Sequence, residues 1–249
     1  MVPGYLDQPL APLPHLTRLL LTDINDLHPE DSDATPLRRL AAAAPRLEVL
    51  EWRGGGAGDS IACAVEGHPC LKELWVYDDE DAWLRAIPRL PALATLRMHM
   101  NPPWDGCDDD WDRAGGETAR ALRVCASLAC CQRLSHLNLT FSLDVPAREL
   151  LSAVGAAVGS RLLSLILGCA LLERGAAARA AYALLACYPC LEVLELSMPF
   201  SMEASVANAL SRELLLAAIS LAAPLCPALR KVRCDRGGTQ TGLWLRPTS

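Results

Sequence analysis

The 249-residue sequence predicts an α/β fold, a curved solenoid of about eight repeats with a parallel β-sheet on its concave face and helices on its convex face. Three observations predict it. The pattern Pro-x-Leu-x-x-Leu-x-apolar runs the length of the chain, in copies whose first leucines are Leu16, Leu47, Leu71, Leu93, Leu134, Leu162, Leu191 and Leu229. Stretches rich in Ala, Leu and Arg, with apolar residues at helical spacing, lie between the copies. Hydrophobic residues make up 51% of the chain but aromatic ones only 5%, so the core must be built from many small aliphatic contacts.

Each element follows from local chemistry. The second apolar position is Leu in seven copies and Val232 in the last; the third is Leu21, Trp52, Val76, Met98, Leu139, Leu167, Leu196 and Cys234. Alternation at these positions marks short strands with one buried face. Six copies carry proline two residues before the first leucine: Pro14, Pro45, Pro69, Pro91, Pro189 and Pro227. A proline there stops the preceding helix and turns the chain into the next strand. Helices are expected over 36–44, after the N-cap Thr35, and over 117–130, 146–158, 172–187 and 203–222. One strand and one helix cannot bury these leucines alone. Stacked copies lay each leucine row on the next and close a continuous core.

The units resemble the leucine-rich-repeat family, and the long helix-containing ones are similar to its ribonuclease-inhibitor-like branch. Cys187-Tyr188-Pro189-Cys190-Leu191 and Cys226-Pro227-Ala228-Leu229 resemble the Cys-Pro-x-Leu turn of the cysteine-containing repeats in F-box/leucine-rich-repeat proteins. No F-box is seen, and the residues before Leu16 are too few for one. The resemblance implies a non-enzymatic protein–protein interaction module, with substrate recognition in a ubiquitin ligase as one role. A GTPase-activating or other regulatory protein, or a structural subunit of a larger assembly, are the alternatives it implies. The organisation expected is a proline-rich segment over 1–13, the solenoid over 14–235 with a loop insertion at 101–116, and a tail or cap over 236–249.

Residues alternating with the core positions face the concave surface. One row is Leu20, Glu51, Trp75, Arg97, Asn138, Ile166, Glu195 and Arg233; a second is Thr22, Arg53, Tyr77, His99, Thr140, Gly168, Ser197 and Asp235. Glu51, Arg53, Trp75, Tyr77, Arg97 and His99, with Asn138 beside them, then form one patch on neighbouring strands. Trp, Tyr and Arg are the usual anchors of interface energy. Two readings stand: a partner-binding surface, or a solvated sheet face whose side chains pair across strands.

Net charge is −6, which speaks against a general affinity for nucleic acid or anionic membrane. The segment 78–112 holds nine acids and three arginines, so it accounts for the whole imbalance. Its two acidic runs follow the third and fourth strands, so they share one rim. Trp104, Asp108, Asp109, Asp110 and Trp111 are the candidates there for holding a basic segment of a partner protein; a solvated insertion with its tryptophans folded back is the other reading.

No cofactor and no metal site is expected. Cys187 and Cys190 form a C-x-x-C, but the order is helix then strand, the reverse of a redox motif. The acids of 105–112 lack EF-hand spacing, and the glycine run 54–58 lacks the lysine of a phosphate loop. His99 and His136 are placed facing each other on adjacent strands, two imidazoles without a third ligand. No set of nucleophile, base and orienting group is visible. No apolar run reaches the roughly 18 residues of a spanning helix. The eleven cysteines sit mostly among apolar neighbours, which places the protein inside the cell, in the cytoplasm or nucleus. The first strand is expected to leave an open edge for an end-capping contact.

Overall fold

A computed structural model describes residues 12–22, 43–53, 58–77, 81–100, 113–171, 183–198, 203–217, 225–236 and 239–246. The chain is an α/β solenoid built from stacked strand-containing repeats. Nine strands form one sheet in sequence order: β1 (Arg18–Thr22), β2 (Val49–Arg53), β3 (Glu73–Val76), β4 (Thr95–Met100), β5 (His136–Pro146), β6 (Ser164–Leu171), β7 (Val193–Met198), β8 (Lys231–Arg236) and β9 (Thr239–Leu245). The first eight are parallel, and each repeat sits in the same register on its neighbour: Leu50, Leu74, Leu96, Leu137, Leu165, Leu194 and Val232 are aligned partners across the sheet.

The turn before each strand explains the proline. The N–H of the first leucine donates to the carbonyl three residues back, closing a β-turn: Leu47 to Ala44, Leu93 to Leu90, Leu134 to Cys131, Leu191 to Tyr188 and Leu229 to Cys226, at 3.1–3.3 Å. Proline at the second turn position presets its φ. After the turn, one carbonyl of each repeat accepts two successive N–H groups of the next. Thr17, Glu48, Lys72, Ala94, Ser135, Leu163 and Glu192 play this part in order, at 2.8–3.1 Å. The residue opening the turn often adds a side-chain bond to the repeat before it: His68 Nε2 lies 3.2 Å from the Ala44 carbonyl, Cys131 Sγ donates to Ile87, Tyr188 Oη to Leu151 and Cys226 Sγ to Tyr188. The cysteines of these turns are therefore structural donors. Burial pushes the thiols of Cys131 and Cys125 up to about 11 and about 12, so both stay protonated.

Helices pack on the core side of the sheet. They are α1 (Gly58–Val65), α2 (Asp81–Ala86), α3 (Arg113–Ser127), α4 (Ala147–Val158) and α5 (Ala204–Ala217). In α4 the buried residues Ala147, Leu150, Leu151, Val154 and Val158 recur at helical spacing and join the strand leucines in one core. A helix is about 10 Å wide and strands are about 4.8 Å apart, so stacked units bend with the sheet inside.

The structure adjusts several expectations. α3 begins at Arg113, inside the stretch read as a loop over 101–116. Of the helix expected over 172–187, only its end is described, and Leu184–Cys187 is a 3-10 turn. Most of 36–44 lies outside the described residues, as do 218–222. α2 was not anticipated: six residues give too short a period to read, yet Trp83, Ala86 and the following Ile87 are fully buried.

At the end of the chain β9 reverses direction and pairs antiparallel with β8. Trp244, opposite Val232, turns onto the core, and the Ser211 and Thr241 hydroxyls meet at 2.7 Å to tie α5 to β9. At the other end β1 has only β2 as a strand partner among the described residues, and Leu20 is exposed on its open face. No helix among the described residues is long and apolar enough to cross a membrane.

Candidate functional site

The face away from the helices carries the candidate residues, and the strand registers bring them together. Glu51 aligns with Trp75, Trp75 with Arg97 and Arg97 with Asn138; His99 aligns with Thr140. Arg53 and Tyr77 continue the second row at the ends of β2 and β3. The two-residue period of the strand explains the placement: Leu50 and Trp52 belong to the core, so Glu51 and Arg53 point away from it.

Glu51 is only 3% exposed although it stands on the open face. Arg53 covers it, with Nη2 at 2.5 Å and Nε at 2.7 Å from the same carboxylate oxygen. Arg18 approaches the other oxygen at 3.7 Å. These contacts compensate the cost of removing a carboxylate from water. The hydrogen bond to Glu51 raises the Arg53 pKa above its ordinary value.

Two aromatic rings sit among the arginines. The Arg97 guanidinium lies 4.2 Å from the centre of the Trp75 ring, and that of Arg18 lies 5.7 Å from it. Arg53 stands 4.9 Å from the Tyr77 ring, and Tyr77 meets His99 edge to face with centroids 6.0 Å apart. The Trp75 Nε1 is buried and has no hydrogen-bond partner among the described residues. Beside these rings opens a cleft of about 250 Å³ lined by Val76, Tyr77, Arg97, Met98, His99, Asn138 and Thr140. Beyond Thr140 the aromatic row ends at Gly168, where an added Cβ would lie 2.6 Å from the Thr140 hydroxyl oxygen.

The side chains of this face pair across strands, and they also frame a cleft. Arg18 is the residue that sequence reasoning missed. It belongs to a further row of the same parity, two residues before Leu20, and alternation alone would have included it.

The proposed facing of His99 and His136 is corrected. His99 aligns with Thr140 and His136 with Thr95, so the rings are offset by four residues, about 13 Å along the strands. Among the described residues no three His, Cys, Asp or Glu side chains gather as a metal site requires. Cys187 and Cys190 are exposed free thiols, and Cys187 ends its 3-10 turn rather than beginning a helix. Trp104, Asp108, Asp109, Asp110 and Trp111 lie outside the described residues.

Burial lowers the His99 pKa below its ordinary value of 6.5. The unfolded chain therefore binds more protons than the native state below that pH, and stability falls as the pH drops through this range. Wild type is expected to lose more thermal stability between pH 7.5 and pH 5 than His99→Gln does. Equal losses would show that His99 does not carry this part of the slope.

A second cluster lies farther along the sheet. Lys231 Nζ meets Glu195 at 2.5 Å, Arg233 reaches Glu195 at 3.9 Å and Asp235 at 4.0 Å, and Ser197 donates to Asp235. These charges satisfy one another.

No family model matches this sequence, and no curated protein matches it. Among solved structures, the leucine-rich repeat-containing protein LegL7 from Legionella pneumophila is similar at 14% identity, over 92% of this chain and 86% of that one, with a TM-score of 0.36. A likeness of that size carries no weight on function.

Proposed function

We propose that the protein is a non-enzymatic interaction module that binds a protein partner on the inner sheet face, over β2 to β5. The observation that carries this reading is the Trp75 cluster. A tryptophan and a tyrosine stand on the open face rather than in the core, braced by Arg18, Arg53 and Arg97 and flanked by a cleft. Braced aromatic and arginine side chains lose little freedom on binding, and such residues dominate interface energies. The cleft is sized for one or two side chains of a partner. The strands beneath it form a ladder held at every repeat junction, so the surface is preorganised.

The test is affinity capture from a native cell extract with wild type, a Trp75→Ala/Tyr77→Ala variant and an Arg148→Ala control on the exposed side of α4. A partner that binds wild type and the control but weakens at least about 30-fold on the double variant supports the proposal. A partner held equally by all three, or none held by wild type, refutes it. Circular dichroism must show the double variant folded.

A further inference from the structure

The cleft beside the Trp75 cluster has a chemistry of its own. Its polar lining is Tyr77, Arg97, His99, Asn138 and Thr140, and among the described residues no carboxylate lines it. The carboxylate beside Trp75, that of Glu51, is taken up by Arg53 and Arg18. Arg97 is exposed and makes no ion pair with a described residue. Its contact with the Trp75 ring restrains the guanidinium without consuming its N–H donors, which remain for a planar acceptor. Asn138, its aligned neighbour, adds an amide at the same wall; its oxygen accepts from the Thr140 hydroxyl at 3.5 Å, which leaves the amide N–H groups as donors. Burial keeps the imidazole of His99 neutral near pH 7, so Arg97 supplies the charge of the cleft.

We propose that this cleft seats one aspartate or glutamate side chain of a protein partner, with Arg97 as the paired cation and the Asn138 side-chain N–H groups as further donors. The proposal rests on the reading of this face as an interaction surface and names what it recognises. A carboxylate accepts two parallel N–H···O bonds from a guanidinium, whereas a lysine or arginine of a partner has donors only and cannot accept from Arg97. A cationic side chain would instead meet Arg97 and Arg53 as like charges. The partner segment that docks here is therefore acidic at its anchor. This differs from the basic segment suggested by the acid-rich sequence at 78–112.

The test uses a displayed library of random, unphosphorylated 12-residue peptides selected on the full chain. Enriched peptides are then measured by fluorescence anisotropy. The expected result is one shared Asp or Glu. Its change to Asn or Gln should weaken binding about 10- to 100-fold. Arg97→Gln should weaken binding by a similar factor, and the two changes together should cost little more than either alone. Peptides without a shared acid, an acid whose amide binds equally well, or no enrichment would overturn the proposal. If acid-free peptides are selected and lose affinity on Trp75→Ala/Tyr77→Ala, the surface stands and only the carboxylate seat falls. If selected peptides bind that variant as tightly as wild type, the surface reading falls as well.

Discussion

Trp83→Ala is expected to cost about 3–5 kcal/mol of unfolding free energy, among the largest effects of any single truncation in the chain. Trp83 is fully buried in α2, with Ala86, Ile87 and Leu90 filling the same span of the core between β3 and β4. This repeat is the shortest, 22 residues from Leu71 to Leu93, so one large ring fills space that longer helices fill elsewhere. Removing it leaves a cavity that a six-residue helix and a 3-10 turn cannot close. The indole Nε1 has no hydrogen-bond partner among the described residues, so Trp83→Phe is expected to lose volume and no hydrogen bond. Phenylalanine should therefore cost clearly less than alanine. Urea unfolding followed by circular dichroism measures both. An alanine variant within about 1 kcal/mol of wild type, or a phenylalanine variant as unstable as alanine, would contradict this account.

Tyr188→Ala should cost a similar amount, about 3–5 kcal/mol, for a different reason. Tyr188 opens the turn before β7 and is wholly buried. Its hydroxyl donates to the Leu151 carbonyl at 2.5 Å, and its own carbonyl accepts the Cys226 thiol at 2.9 Å. It thus links three successive repeats. Glycines in α4 and just after it let the Cys187–Tyr188 segment approach: a Cβ on Gly155 would lie 3.1 Å from the Cys187 Cβ, and one on Gly159 would lie 2.5 Å from the Cys187 carbonyl oxygen. Burial holds the phenol well above its ordinary pKa, so it remains a donor across the accessible pH range. Tyr188→Phe keeps the packing and loses only the donor; the Leu151 carbonyl lies within α4 and keeps its helical partner, so the cost should be about 0.5–1.5 kcal/mol. The gap between the two variants separates packing from hydrogen bonding. If phenylalanine proves as costly as alanine, the hydroxyl is the main link, and if it is neutral, the Leu151 bond contributes nothing.

Much of the candidate site is legible in the sequence, because it follows from a period of two. Once Leu50 and Trp52 are assigned to the core, Glu51 and Arg53 must face away, and the repeat carries that assignment from strand to strand. What the residues do on that face is not legible there. Nothing in the order of residues shows that Glu51 is nearly inaccessible, or that Arg18 crosses from β1 to reach both Glu51 and the Trp75 ring. The cleft beside Tyr77 depends on the same cross-strand arrangement.

The sequence by itself determined the repeat, the turns and the inward direction of each leucine. Those features rest on proline φ, the two-residue period of strands and the need of small apolar residues for a shared core, all of which act within a few residues. Tertiary structure alone decided the short helix around Trp83, the reversal of β9 and the pairing of Arg97 with Trp75, whereas the offset of His99 from His136 already follows from their places in the repeat. Each of the first three draws on packing against neighbouring repeats, whose energy exists only after the repeats have stacked and fixed which side chains share a surface.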